Sequence, residues 1–168
     1  MWMTSLSELN QMNQDDFVAA LGWIFEDSPW VAAKAWAKKP FTDVSSLHQS
    51  MVDVVREAND IEKLALVCAH PDLGAKAKMA EASVKEQAGV GLDRLNPEEY
   101  DKFNYLNQAY KEKFNFPFIV AVKNHTKESI LASFSQRLEN SKETELQTVL
   151  AEIEKIALFR LQEVIDDK

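Results

Sequence analysis

An all-α fold, a single bundle of about seven to nine helices without a sheet, follows from three observations. Four Gly and five Pro are few in 168 residues rich in Ala, Leu, Glu and Lys, a balance that favours helix over strand and turn. Helix start and stop signals recur from one end of the chain to the other. The one run with strand-like composition, FIVAV at 118–122, has no obvious partner strand and reads as a buried extended or irregularly helical connector. A chain of this length favours one core, hence a single domain over residues 1–168.

The elements follow in order. Ser5-Leu6-Ser7-Glu8 has capping-box form, and Asn13 leads into an apolar-spaced segment holding Phe17, Leu21 and Ile24. Ser28 before Pro29 predicts an N-cap with proline at the first helical position, opening a helix to about Lys38. Ser45 or Ser46 is expected to open another, through Leu47, Met51, Val54 and Val55. Asn59-Asp60-Ile61-Glu62 starts a strongly apolar helix that ends near His70, because Pro71 follows. After a changeable region at 71–82, Ser83-Val84-Lys85-Glu86 again has capping-box form. Asn96-Pro97-Glu98-Glu99 opens a long helix ending near Asn115, Thr126 caps one to about Leu138, and Ser141 caps the last, to about Ile165.

Charge and cysteine content narrow the class of function. A formal net charge of −8 argues against nucleic acid and anionic membranes as partners, since both need a basic face. An anionic small substrate would need a local cation working against that field. Cys68 is the only cysteine, so no intrachain disulfide forms and a reducing compartment is the default. MWMTSLSELN lacks the basic-then-apolar order of a secretory signal, no apolar run approaches a membrane span, and VIDDK is not a peroxisomal address. The expected location is the cytoplasm.

Three features could carry chemistry. His70 closes an apolar helix, where the dipole favours imidazolium, and an unperturbed pKa near ~6.5 suits a proton carrier; it also reads as a plain helix-end cap before Pro71. His70 with Asp72 makes a weak metal pair, since neither HExxH nor a cysteine partner accompanies it. Ser83-x-x-Glu86 reads as a capping box, while a helix N-terminus in a pocket would seat a polar or anionic group. Arg160 falls inside the apolar arc that Val149, Ile153, Ala157 and Val164 form at ~100° per residue, with Glu145, Glu152 and Lys155 outside it. Such an arginine is either paired to a buried carboxylate or kept for an anionic ligand. His48 and His125 read as surface or cap residues. No GxGxxG, Walker loop or GxSxG occurs, so neither cofactor nor metal is expected.

HPDLG at 70–74, SVKEQAGVGL at 83–92, YKEKFNFPFIVAVK at 110–123 and EIEKIALFRLQEV at 152–164 together resemble the OHCU decarboxylase family. That family converts 2-oxo-4-hydroxy-4-carboxy-5-ureidoimidazoline (OHCU) into (S)-allantoin. The resemblance runs from about Leu9 to Ile165. It implies His70, Glu86 and Arg160 as catalytic residues, the backbone of Phe118, Ile119, Val120, Ala121 and Val122 as a substrate cradle, and Pro71, Ser83 and Gln87 as further contacts. It also implies a homodimer and fusion to or action alongside urate oxidase; exposed Trp or Phe near the N-terminus could form the dimer contact. Two departures leave those residues untouched: the loop between HPDL and SxxEQ is about one helical turn shorter than in some relatives, and Asn115 stands where glycine is frequent.

The implied chemistry suits these residue types. The substrate's carboxylate and hydroxyl share one ring carbon beside a C=N bond, which receives the electrons as CO₂ leaves. The protein must bind the carboxylate, hydrogen-bond the hydroxyl and deliver a proton to one face of the neighbouring carbon. Arg160 suits the first task through its fork and His70 the second, while Glu86 would orient ring and ureido N–H groups or supply the proton. The rival reading of HPD, a J-domain co-chaperone, requires a basic helix before it; NDIEKLALVCA has Lys63 against Asp60 and Glu62. A generic helical interaction module is the other alternative.

Overall fold

The computed structural model describes residues 3–74 and 81–166, except for the side chains of 81–83. The order is β1 (Thr4–Ser5), α1 (Leu6–Gln11), α2 (Gln14–Leu21), α3 (Trp30–Ala35) continued by a 3-10 turn (Trp36–Lys38), α4 (Val44–Glu57), α5 (Asp60–Cys68), α6 (Glu81–Ala88), α7 (Pro97–Phe114), α8 (Lys127–Arg137), α9 (Lys142–Val164) and β2 (Ile165–Asp166). The all-α expectation holds, with nine α-helices among the described residues. The absence of any sheet is corrected in one detail: β1 and β2 pair in parallel, Thr4 with Ile165 and Ser5 with Asp166. Thr4 and Ile165 are both β-branched and buried, and pairing satisfies backbone groups just outside the helices.

Most caps form where the sequence places them. Ser5, Asn13, Asn59, Asn96, Thr126 and Ser141 each accept from the backbone N–H three residues on, at 2.8–3.2 Å. Asn115 closes α7 in the left-handed region at φ 63°, a conformation asparagine tolerates. Three expectations need correction. Asp43, not Ser45 or Ser46, caps α4: its carboxylate accepts from the Ser46 N–H at 2.7 Å, and a carboxylate there also meets the positive end of the helix dipole. Ser28 is buried and donates to the Glu26 carbonyl, so α3 starts after Pro29 without a side-chain cap, and its last turn tightens to 3-10. Ser83 lies inside α6, beyond its first residue Glu81, so it is not the N-cap of that helix.

The chain gathers into two compact units, one of Met1–Leu66 with Glu154–Lys168 and one of Val67–Ile153. In the first, Leu9, Phe17, Leu21, Ile24, Phe25, Leu47, Met51, Ala157 and Leu161 are buried, and Phe17 stacks on Phe41 with centroids 5.9 Å apart. Asn10 closes a reciprocal pair of bonds with the Phe41 backbone, at 2.9 and 2.7 Å. Arg56 bonds Glu154 through Nε and Nη2, and the Glu154 carbonyl meets His48 Nε2 at 2.8 Å.

The second unit is built on aromatics. Tyr110 of α7 packs against Phe114, Phe116 and Phe118 at 4.5, 5.9 and 5.3 Å between centroids, and Phe118 stacks on Phe134 of α8 at 3.7 Å. Residues 118–122 are buried and belong to neither helix nor strand, in line with the connector expected from their composition.

Candidate active site

His70 sits just past α5, buried, with its N–H donated to the Val67 carbonyl at 3.2 Å. The HPDLG turn that follows is held by three side chains. Lys111 Nζ lies 2.7 Å from Asp72 Oδ2, Asn107 Nδ2 donates to the Leu73 carbonyl at 2.9 Å, and the Gly74 N–H donates to Gln87 Oε1 at 2.9 Å. Gly74 has φ +71°, and a Cβ there would lie 2.7 Å from Leu95 Cδ1, so conformation and space both require glycine. The backbone that follows His70 is thereby fixed. Asp72 is committed to Lys111, which argues against its pairing with His70 as a metal ligand. Among the described residues no group of three or more His, Cys, Asp or Glu side chains could hold a metal ion.

α6 supplies Glu86, partly exposed, and Gln87, buried. With Ser83 inside the helix, the capping-box reading of Ser83-x-x-Glu86 loses its basis. The Gln87 bond to Gly74 ties α6 to the His70 turn. The Ser83 side chain and the rest of the shortened loop, 75–80, lie outside the described residues. α7 backs the same region: Asn107 and Lys111, one helical turn apart, hold the turn, while Tyr110 between them packs on Phe118.

The 118–122 segment has no partner strand among the described residues, and side chains take a strand's place. Arg137 Nη1 of α8 donates to the Ile119 carbonyl at 2.7 Å, and Glu152 Oε1 of α9 accepts from the Ala121 N–H at 3.1 Å. Between these two bonds, the N–H and C=O of Val120 meet no hydrogen-bond partner among the described residues. A buried backbone donor and acceptor without a protein partner call for water or a ligand to satisfy them. Arg137 is itself fixed by Glu145, Nε to Oε1 at 2.8 Å, and Glu145 also accepts from Tyr110 at 2.6 Å and Asn140 at 3.0 Å. Burial, reinforced by the Glu145 carboxylate, pushes the Tyr110 phenol well above its ordinary pKa.

This cluster was not expected from the sequence. Glu145 falls outside the apolar arc of the last helix, yet it is fully buried.

Arg160, in the first unit, is buried with 2% of its surface exposed. Its Nη2 donates to Glu26 Oε1 at 2.9 Å, and Nη1 lies 3.3 and 3.2 Å from the carbonyls of Trp23 and Ile24. Of the two readings left open for this arginine, a buried carboxylate partner is therefore present.

The OHCU decarboxylase family model matches residues 10–162. The chain is 42% identical to the 2-oxo-4-hydroxy-4-carboxy-5-ureidoimidazoline decarboxylase of Halalkalicoccus jeotgali, covering 95% of this chain and 91% of that one. It is 43% identical to the uric acid degradation bifunctional protein PucL of Bacillus subtilis, across 99% of this chain but 34% of that longer protein. The crystal structure of an (S)-allantoin synthase superposes with a TM-score of 0.76 at 32% identity, covering 97% of this chain and 55% of its own.

Proposed function

The chain belongs to the OHCU decarboxylase family and is a carboxy-lyase of urate degradation that turns OHCU into (S)-allantoin and CO₂, and we propose that His70 and Glu86 handle its proton. The observation that carries this assignment of residues is the restrained, buried His70 turn, joined to α6 by the Gln87–Gly74 bond. His70 hydrogen-bonds the substrate hydroxyl and takes up its proton as the carboxylate leaves. The C–C bonding electrons pass into the adjacent C=N, whose nitrogen takes up the proton that His70 accepted, and the resulting enolate is protonated on one face of the neighbouring carbon to leave the ring carbonyl. Glu86 orients the ring and ureido N–H groups or delivers that proton. The open Val120 backbone pair supports the substrate cradle at Phe118–Val122, with Pro71, Ser83 and Gln87 as further contacts.

For Arg160 the proposed role is recognition of the substrate carboxylate, supported by its place on an apolar stripe. We keep the proposal that residues 1–168 act as one domain, because the family match runs through residues of both units. A homodimer is also proposed. Its proposed contact is at Trp23 and Trp30, which are half-buried, since Phe17 and Phe25 are buried. Trp2 lies outside the described residues. Action beside or fused to urate oxidase is proposed from the bifunctional relatives. No helix among the described residues is long and apolar enough to cross a membrane, and cytoplasmic location stays a proposal.

The test supplies freshly generated OHCU and follows the circular dichroism of allantoin. Spontaneous decay gives racemate, so an optical signal reports catalysis. His70→Asn should lose roughly 10²-fold or more in turnover with an unchanged far-UV spectrum, because an amide cannot exchange a proton near neutrality. Near-normal turnover in that folded variant would return His70 to a helix-end cap.

A further inference from the structure

We propose that Arg137 and Glu152 are positioning residues that aim the backbone of Val120 at the substrate; this rests on the reading above that residues 118–122 hold it. A trans peptide is planar, with its C=O and N–H pointing in opposite directions. Arg137 holds the Ile119 carbonyl at 2.7 Å, which turns the Val120 N–H of the same peptide to the other side. Glu152 holds the Ala121 N–H at 3.1 Å, which turns the Val120 carbonyl away from Glu152 in the same manner. The two bonds therefore fix both polar groups of one residue. A donor and an acceptor on a single residue match a ligand carrying an acceptor and a donor side by side, as in a cyclic amide or urea.

The arginine is itself held. Its guanidinium lies over the Phe118 ring at 4.2 Å and is bound by Glu145, a carboxylate with no exposed surface that Tyr110 and Asn140 also contact. Its Nη2 is buried and has no partner among the described residues. An apolar side chain at this position would avoid the buried charge and that open amino group, but would leave the Ile119 carbonyl without a donor. Anchoring that carbonyl is what the arginine adds.

The test uses the whole chain, with OHCU kinetics and (S)-allantoin as the binding probe, read at the ¹⁵N-labelled amide of Val120. In the unmodified protein this amide should shift when allantoin is added. Glu152→Ala should raise KM about tenfold, the worth of one well-made hydrogen bond, with kcat within about twofold and the Val120 shift reduced. Glu152→Gln should restore both, because its amide oxygen still accepts from Ala121. Arg137→Lys keeps a charge opposite Glu145 but loses the fork, and should raise KM like Glu152→Ala; should it fail to fold, the Glu152 pair decides alone. A merely structural role would lower the melting temperature and leave KM unchanged in folded protein. An ordinary KM in Glu152→Ala, failure of Gln to rescue it, or an equal Val120 shift with and without Glu152 overturns the positioning role alone. A Val120 amide that does not respond in the unmodified protein overturns the substrate-cradle reading, and the positioning role with it.

Discussion

Replacing Arg160 with Met is the change that most sharply separates support of the fold from catalysis. In a helix stripe read by itself, methionine would fill the space and remove a costly charge. The structure reverses that expectation, because Glu26 is 4% exposed and has its carboxylate 2.9 Å from Arg160 Nη2. Removing the cation leaves a buried carboxylate uncompensated, at a cost of about 3–5 kcal/mol. In a chain of this size each kcal/mol moves the midpoint by about 2–4 °C, so Arg160→Met should melt roughly 6–20 °C lower.

Adding Glu26→Gln removes the stranded charge and leaves a neutral amide, whose incomplete hydrogen bonding costs about 1–3 kcal/mol. The double variant should therefore regain about 2 kcal/mol over Arg160→Met alone. Urea unfolding followed by circular dichroism measures all three proteins. A double variant no more stable than Arg160→Met would refute the claim that Glu26 depends on the guanidinium. Once the double variant is folded, its OHCU turnover tests the second claim independently. Normal kinetics without any guanidinium would remove Arg160 from the reaction.

Two further outcomes follow from the second unit. Glu86→Gln, an isosteric change at a half-buried position, should leave the far-UV spectrum and melting temperature close to those of the parent, yet it should lose activity or yield racemised allantoin; full activity with optically pure product would free Glu86 of any role. Tyr110 has its pKa raised chiefly by burial, so above pH ~10 the unfolded chain ionises this phenol while the folded one does not. The stability it contributes is intact below pH ~10 and is lost as pH rises above it, at most about 1.4 kcal/mol between pH 9 and 11. Denaturant titrations at both pH values should show this loss in the parent and not in Tyr110→Phe; equal losses would contradict the raised pKa.

What was legible in the sequence was what is local. Asn13, Asn59, Asn96 and Thr126 each bond three residues ahead, so residue type and spacing suffice to locate α2, α5, α7 and α8. Arg160 was also legible, because a charge in the middle of an apolar stripe breaks a local rule and asks for an explanation. Its partner was not, since 134 residues separate it from Glu26. Arg137 and Glu145 were hidden for the opposite reason. A cation in the last turn of α8 and a carboxylate in the first turn of α9 both satisfy the helix dipole, so each already had a local explanation. The clamp on residues 118–122 shares this camouflage: Glu152 reads as a solvated helix residue until the backbone it serves is placed beside it.

The Glu26–Arg160 pair also bears on how a carboxylate should be held while it is being lost. A bare guanidinium would grip the substrate carboxylate most strongly before reaction, and that charge weakens as CO₂ forms. Binding that favours the ground state lowers KM without raising kcat. On the role proposed for Arg160, a guanidinium shared with Glu26 and the carbonyls of Trp23 and Ile24 would offer the substrate a reduced positive potential, enough to orient the carboxylate but less able to trap it. Glu26→Gln alone therefore should lower KM and kcat together, in protein kept folded at low temperature, because Arg160 then bears its full charge toward the ligand. Steady-state kinetics with fresh OHCU can distinguish this from simple loss of geometry. A KM that rises while kcat holds would mean that Glu26 serves only to orient the arginine, and that its charge does not moderate the grip.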